Sequence, residues 1–457
     1  MMLHPIIKYV WFLVLLFCMA QAQAQHLKVS NNKRYLVHGN GKPFFYLGDT
    51  AWELFHRLNR EEADFYLQNR KEKGFTVIQA VVLAELNGLR DPNPYGNLPL
   101  LNEDPAQPNE AYFEHVDYIV NKAEALGLYI GMLPTWGDKI YRNSWGVGPE
   151  IFNTANAKVF GEYIGRRYKN KPVIWILGGD RNPRGEQDVE IWRAMAAGIV
   201  AGVGGQDNAL MSFHPQPQVK GGSSTWFHKD DWLDFNMFQT GHNRFINIYD
   251  KITGDYQLEP TKPTMDAEPI YEDHPIAFDA RKNGYSEARD VRRAAYQSLF
   301  AGSHGHTYGC HGIWQMYAPG RQPVSVARTY WKDALDLPGA TQMQYVRKLL
   351  ESRPMLERVP DQSLVNAAYE GQELIQATRG HDYAFIYTTA GKPIEANLGR
   401  ISGKTLKAAW YDPRTGKTTA IGKFKNTGTH TFTPPGSGPD NDWVLILDDA
   451  RQRYKAP

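Results

Sequence analysis

The sequence predicts an α/β protein, a (β/α)8 TIM barrel followed by a small all-β sandwich domain. Three observations predict it. Short apolar runs alternate with amphipathic helical stretches until eight runs have passed in about 280 residues, the count and length of a barrel. The runs are too continuously hydrophobic for half-exposed strands, as expected of parallel strands covered on both faces. Beyond about residue 355 the texture changes to short strands set apart by turn clusters. A doubly wound sheet fits less well, because no glycine-rich phosphate turn follows the first strand.

The elements follow in order. His4 and Lys8 precede an apolar run at 11–20 that ends in Ala20-Gln-Ala22-Gln-Ala24. That run is far short of the ~20 residues needed to span a bilayer, and residues 1–24 read as a secretory signal peptide with two overlapping A-x-A cleavage sites. Phe17 stands before Cys18 where a lipoprotein would have a small residue. The expected protein is exported, periplasmic or extracellular, with no membrane insertion after cleavage; the sequence is silent on its oligomeric state. The barrel is expected over 25–355, opened by a hairpin at 31–46 whose Gly39-Asn-Gly41 turn helps to close the barrel bottom. Its strands are expected at 45–49, 76–82, 128–133, 173–177, 210–213, 234–238, 263–267 and 306–308. Asn59, with Glu62 three residues on, has the spacing of a capping box, and Gly74 ends that helix. Further helices are expected at 109–126, 154–168, 187–203 and 286–301. The sandwich, 360–457, should carry strands at 374–378, 383–387, 408–411, 430–433 and 443–447.

Composition excludes several classes. Lys and Arg number 51 against 49 Asp and Glu, a net charge of +2, which argues against nucleic-acid binding through a basic face. Of two cysteines one lies in the signal segment, leaving Cys310 as a lone thiol with no disulfide and no cysteine metal cage. His304, His306 and His311 cluster at the eighth strand but match no zinc spacing, so neither metal nor cofactor is expected. No G-x-S-x-G elbow is present. The 12 Trp and 25 Tyr suit a sugar cleft, although large aromatics more often fill cores.

In a barrel the chemistry sits at the C-terminal ends of the strands. Reading those ends in order gives Asp49 and Trp52, Glu85 and Asn87, Trp136 and Asp138, Asp180, His214, Gln239 and His242, Glu268 and Tyr271, then His306, His311 and Trp314. Acids, amides, histidines and tryptophans on one rim are what a carbohydrate site needs. Glycoside hydrolysis requires two carboxyls flanking the scissile bond, and Asp180 and Glu268, on strands four and seven, face each other across a barrel mouth. Gly178-Gly179 allow close backbone approach to a ligand. Pro269 biases Glu268 toward extended geometry. The bland alternative makes either acid the ion-pair partner of a rim arginine such as Arg181. Asp266, two residues before Glu268, shares its side by strand alternation and rivals it as the reactive carboxylate. Asp49, Asp138, Gln239 and His306 are candidates for sugar hydroxyls, and Trp52, Trp136 and Trp314 for stacking or for packing as loop anchors. Tyr271 is placed to donate to the nucleophile. His214 is a candidate to bind a hydroxyl or to steer a carboxylate, and His242, Arg142 and Arg181 are further basic or polar groups at the rim.

At these residues the chain resembles a known family. Phe45-Tyr-Leu-Gly-Asp-Thr-Ala-Trp52, Trp175-Ile-Leu-Gly-Gly-Asp180 and Asp266-Ala-Glu-Pro-Ile-Tyr-Glu272 are similar to glycoside hydrolase family 140, over roughly residues 26–450. That family comprises bacterial apiosidases with a (β/α)8 barrel and a C-terminal β-sandwich. The resemblance implies a retaining glycosidase with Asp180 as acid/base and Glu268 as nucleophile. It also implies an oligo- or polysaccharide substrate, the apiose–galacturonic acid linkage in side chains of the pectin rhamnogalacturonan-II. Gly179-Asp180 departs from the Asn-Glu pair of the wider retaining clan while agreeing with the narrower family. Two other readings stay open: a glycosidase of the same clan with another sugar, and a non-catalytic glycan-binding barrel.

Overall fold

The computed structural model describes residues 26–143, 145–218, 220–244 and 246–457, so the expected signal peptide lies outside the described residues. Among those described, no helix is long and apolar enough to cross a membrane. The chain opens with three antiparallel strands, β1 (Leu27–Val29), β2 (Leu36–His38) and β3 (Pro43–Phe44), where the sequence suggested a hairpin. The expected turn is there, with Gly41 at φ +83°. Leu27, Leu36 and Phe44 join Tyr129, Ile174, Leu210 and Phe235 in one buried cluster. That apolar plug fills the N-terminal end of the barrel.

All eight expected barrel strands form, and nearly every residue in them is buried. They are β4 (Tyr46–Thr50), β5 (Val77–Leu83), β6 (Tyr129–Thr135), β7 (Val173–Gly178), β8 (Met211–His214), β9 (Asn236–Gln239), β10 (Thr264–Glu268) and β11 (Gly305–Tyr308). Six pair in parallel in the order β11-β4-β5-β6-β7-β8, and β9 pairs with β10. Backbone and side-chain hydrogen bonds help to bridge the two seams. Between β8 and β9, the Asp234 N–H donates to Met211 O while its carboxylate accepts from Met211 N, and Ser212 Oγ donates to Phe235 O. Between β10 and β11, His304 N–H donates to Thr264 O at 3.0 Å.

The outer helices follow the expected signals. Asn59 and Glu62 form the capping box of Arg60–Glu72, and Asn153 caps Thr154–Tyr168. The helices Glu110–Ala125, Glu186–Val203 and Ala288–Phe300 also form. Thr154–Tyr168 lies directly on Glu186–Val203 because Gly161, Gly165, Gly198 and Gly202 carry no Cβ; one at Gly161 would strike the Met195 carbonyl. Elements that went unforeseen include the short helices Ser224–Phe227 and Ile248–Tyr256, and the long Pro338–Glu351 after the last barrel strand.

The sandwich holds β12 (Val359–Pro360), β13 (Ile375–Arg379), β14 (Tyr383–Thr388), β15 (Ile394–Asn397), β16 (Thr405–Tyr411), β17 (Thr418–Lys425), β18 (Thr429–Phe432) and β19 (Trp443–Asp449). They form an antiparallel sheet in the order β12-β13-β14-β19-β16-β17 beside the pair β15-β18. The domain is docked on the barrel through Tyr387 stacked on Tyr296 at 4.8 Å and a bidentate pair of Arg292 with Asp442 at 2.9 and 2.7 Å.

Candidate active site

A cavity of about 440 Å³ opens at the C-terminal ends of the barrel strands, and Asp180 and Glu268 both line it. Each reaches it through a local break in the strand. At the end of β7, Gly178, Gly179 and Asp180 all adopt left-handed backbone, at φ +93°, +87° and +51°. A Cβ on Gly178 would collide with the His214 carbonyl, and one on Gly179 would come within 2.9 Å of Trp136. The glycines therefore let the chain turn tightly against its neighbouring strands. Asp180 has no such freedom. A non-glycine residue in this region costs of order 1 kcal/mol, a strain typical of functional positions.

At the end of β10 a β-bulge falls between Asp266 and Glu268: Asp266 pairs with Phe238, but Glu268 rather than Ala267 pairs with Gln239. The extra residue breaks the period-2 rule. Met265 and Ala267 pack inside the barrel, Asp266 accepts hydrogen bonds from Thr240 Oγ1 at 2.5 Å and from Thr240 N, and Glu268 turns into the cavity. The two acids do not share a side. Asp266 is thus removed as a rival by geometry, and it does not line the cavity.

The two cavity carboxyls titrate in opposite directions. Burial, then the charge of Glu268, pushes Asp180 up to about 7. Burial would raise Glu268 as well, but His214 and His242 outweigh it and hold that carboxyl down at about 2. His214 Nε2 stands 3.2 Å from Glu268 Oε2, and His242 Nε2 stands 3.3 Å from Oε1. Tyr271, buried beside the Glu268 charge, is pushed well above 10, so its hydroxyl keeps its proton. Arg181 is largely spent elsewhere. It donates to the Tyr141 carbonyl and to the Asp180 carbonyl, and lies 3.9 Å from the Asp180 carboxylate.

Of the residues expected to meet substrate, Trp52, Trp136, Gln239, His242, Tyr271 and Trp314 line the cavity. His214 does not: fully buried, it stands behind Glu268 between Trp52 and Trp136, with ring centroids at 5.4 and 6.3 Å. Asp49 is a correction. It faces the helix layer, paired with Arg70 at 3.1 Å and accepting from Tyr66 at 2.5 Å, because alternate β4 residues point away from the barrel axis. Asp138 is another: its oxygens bind Lys139 and the N–H groups of Val147 and Gly148, bracing the loop after β6. His306, opposite Leu47 on the helix-facing side of β11, is fully buried and away from the cavity. Trp145, His274 and Phe278 line the cavity unforeseen; they come from long loops that carry no periodic signal. Among the described residues no cluster of His, Cys, Asp or Glu is arranged to hold a metal ion.

A family model described as "Apiosidase-like, catalytic domain" matches residues 30–357, and a collagen-binding-like domain described for a collagenase matches 359–448. The chain is similar to a solved glycoside hydrolase at 38% identity, covering 95% of this chain and 99% of that one with a TM-score of 0.86. It is also similar to a family 5 glycoside hydrolase from Bacteroides vulgatus, at 36% identity, 95% and 94% coverage and a TM-score of 0.87. A family 5 mannosidase from Rhizomucor miehei shares the fold alone, at 12% identity, 72% and 98% coverage and a TM-score of 0.51. No curated protein matches the chain.

Proposed function

The chain belongs to the apiosidase-like catalytic family and is a glycosidase, and from that premise we propose that it is an exported retaining enzyme that releases apiose from galacturonic acid in rhamnogalacturonan-II. Asp180 is the acid/base and Glu268 the nucleophile. The observation that carries the two carboxyl roles is their split within one cavity, Asp180 protonated below about pH 7 and Glu268 ionised from about pH 2 upward.

Neutral Asp180 donates its proton to the glycosidic oxygen as Glu268 attacks the anomeric carbon. Esterification then removes the negative charge of Glu268. With it goes one of the two causes that raise Asp180, so the Asp180 carboxyl becomes more acidic as its role changes to base. As a carboxylate it takes a proton from the water that opens the glycosyl ester, and the two-carboxyl cycle is restored. His214 and His242 hold the Glu268 oxygens, and Tyr271 stands ready to donate to them.

On an apiosyl-galacturonide, Glu268→Gln should abolish turnover while the melting temperature stays near that of the parent. Turnover retained by that variant would exclude Glu268 as the nucleophile. Proton NMR of the first-formed sugar separates retention from inversion. Release of a different monosaccharide from a panel of pectin oligosaccharides would replace apiose as the substrate sugar and leave the two carboxyl roles standing. Sequencing the secreted protein's N-terminus tests export, with Gln23 or Gln25 expected as its first residue.

A further inference from the structure

A third carboxyl faces the same cavity. Glu85, just beyond β5, is 1% exposed and lines the wall together with Asp180 and Glu268. Its Oε2 accepts a hydrogen bond from Trp145 Nε1 at 2.6 Å. The charged groups around it come from three neighbouring turns. Glu53 follows β4 and is bound by His56 at 2.5 Å and by Arg57 at 3.5 Å. Asp138 and Lys139 follow β6, and Asp180 follows β7. The Lys139 ammonium is spent on Asp138 Oδ1 at 2.8 Å and on the Ala84 carbonyl at 2.7 Å. Among the described residues no cation forms an ion pair with Glu85, and the charges that act on it most strongly are the acids Glu53, Asp180 and Asp138.

We propose that Glu85 is a specificity residue whose carboxyl hydroxyl donates a hydrogen bond to a neutral sugar oxygen beside Asp180. This rests on the roles given to Asp180 and Glu268 above. A buried carboxyl with one neutral donor and three acidic neighbours keeps its proton. Burial, then Glu53, Asp180 and Asp138, accordingly push Glu85 well above its usual 4.5. Trp145 fixes one oxygen, so the O–H has a defined direction. A neutral group supplies recognition without adding a second anion beside Glu268. A site built to bind a hydroxyl also rejects a sugar that lacks it, since the buried donor is then left unpaired.

Two measurements test this, one of them free of substrate. The folded form of Glu85 binds its proton more tightly than the unfolded form, so parental stability should fall as pH rises above about 4.5. The melting temperature of Glu85→Gln minus that of the parent should therefore widen steadily from pH 4.5 to 8; a flat difference overturns the proposal. On apiosyl-galacturonide, Glu85→Gln keeps both the acceptor for Trp145 and a donor, and should hold kcat/KM within about threefold with the alkaline limb of the pH profile in place. Glu85→Ala should raise KM by about tenfold or more. Equal damage in both variants, or none in Glu85→Ala, overturns it. If Glu268→Gln remains active, the catalytic assignment fails instead, and the melting series still reads Glu85 by itself.

Discussion

Glu268 is ionised because two imidazoles face its two oxygens, and that makes its acidity adjustable from outside the strand that carries it. Removing His242 deletes one of the groups that oppose burial, so the Glu268 pKa should rise. His242→Ala is expected to move the acid limb of kcat/KM from near pH 2 to a higher pH, measured in a pH–rate series; an unmoved limb would remove His242 from that role. The parental profile should fall on the alkaline side near pH 7, where Asp180 loses its proton. The same group carries a stability consequence. Its folded pKa lies above the unfolded value of 3.8, so the folded state is penalised increasingly as pH rises from about 4 through 7. Asp180→Asn should therefore melt higher than the parent at pH 8 and similarly at pH 4, by an amount corresponding to about 1–3 kcal/mol, while losing activity.

At the scale of elements, the site depends on two departures from regular strand geometry. Gly179→Ala would force a side chain into left-handed backbone and against Trp136. We expect about 2–3 kcal/mol of destabilisation and loss of turnover through a displaced Asp180, read by denaturant melts and kinetics. The same departures mark where sequence reading stops. Strands such as β5 and β7 were legible because two-sided burial writes a nearly unbroken apolar run, the more polar ones by their place in the strand–helix alternation, and the Asn59–Glu62 cap because its spacing is local. The bulge in β10 was not, since alternation put Asp266 and Glu268 on one side and nothing in the five residues announces an inserted one. Asp49 was misplaced because its partner Arg70 lies on a helix whose facing side the strand pattern does not reveal. Strand β17 escaped because it is an edge strand with all eight of its residues at least partly exposed and no apolar alternation. Trp145 and Phe278 were beyond reach because long loops are placed by tertiary contacts alone.

The whole molecule is two domains joined by a buried seam. Phe385, Tyr387, Tyr411 and Ile446 of the sandwich share one apolar cluster with barrel residues such as Phe300 and Leu349. An ion pair taken out of water is costly when one partner is lost, so Asp442→Ala, which strands buried Arg292, should cost about 3–5 kcal/mol. Scanning calorimetry should show the barrel and sandwich melting together in the parent; an unchanged melting temperature in the variant would deny the seam that role. The sandwich thus contributes to barrel stability whatever else it binds.

Four of the chain's 12 tryptophans, Trp52, Trp136, Trp145 and Trp314, stand in the cavity wall. These indoles lie where a sugar would sit, next to ionisable carboxyls and imidazoles that quench them, so a ligand that displaces or rearranges those contacts changes their emission. The protein carries its own optical gauge of occupancy: titrating Glu268→Gln with candidate oligosaccharides should change the emission in proportion to bound ligand, with no label attached and no bond broken.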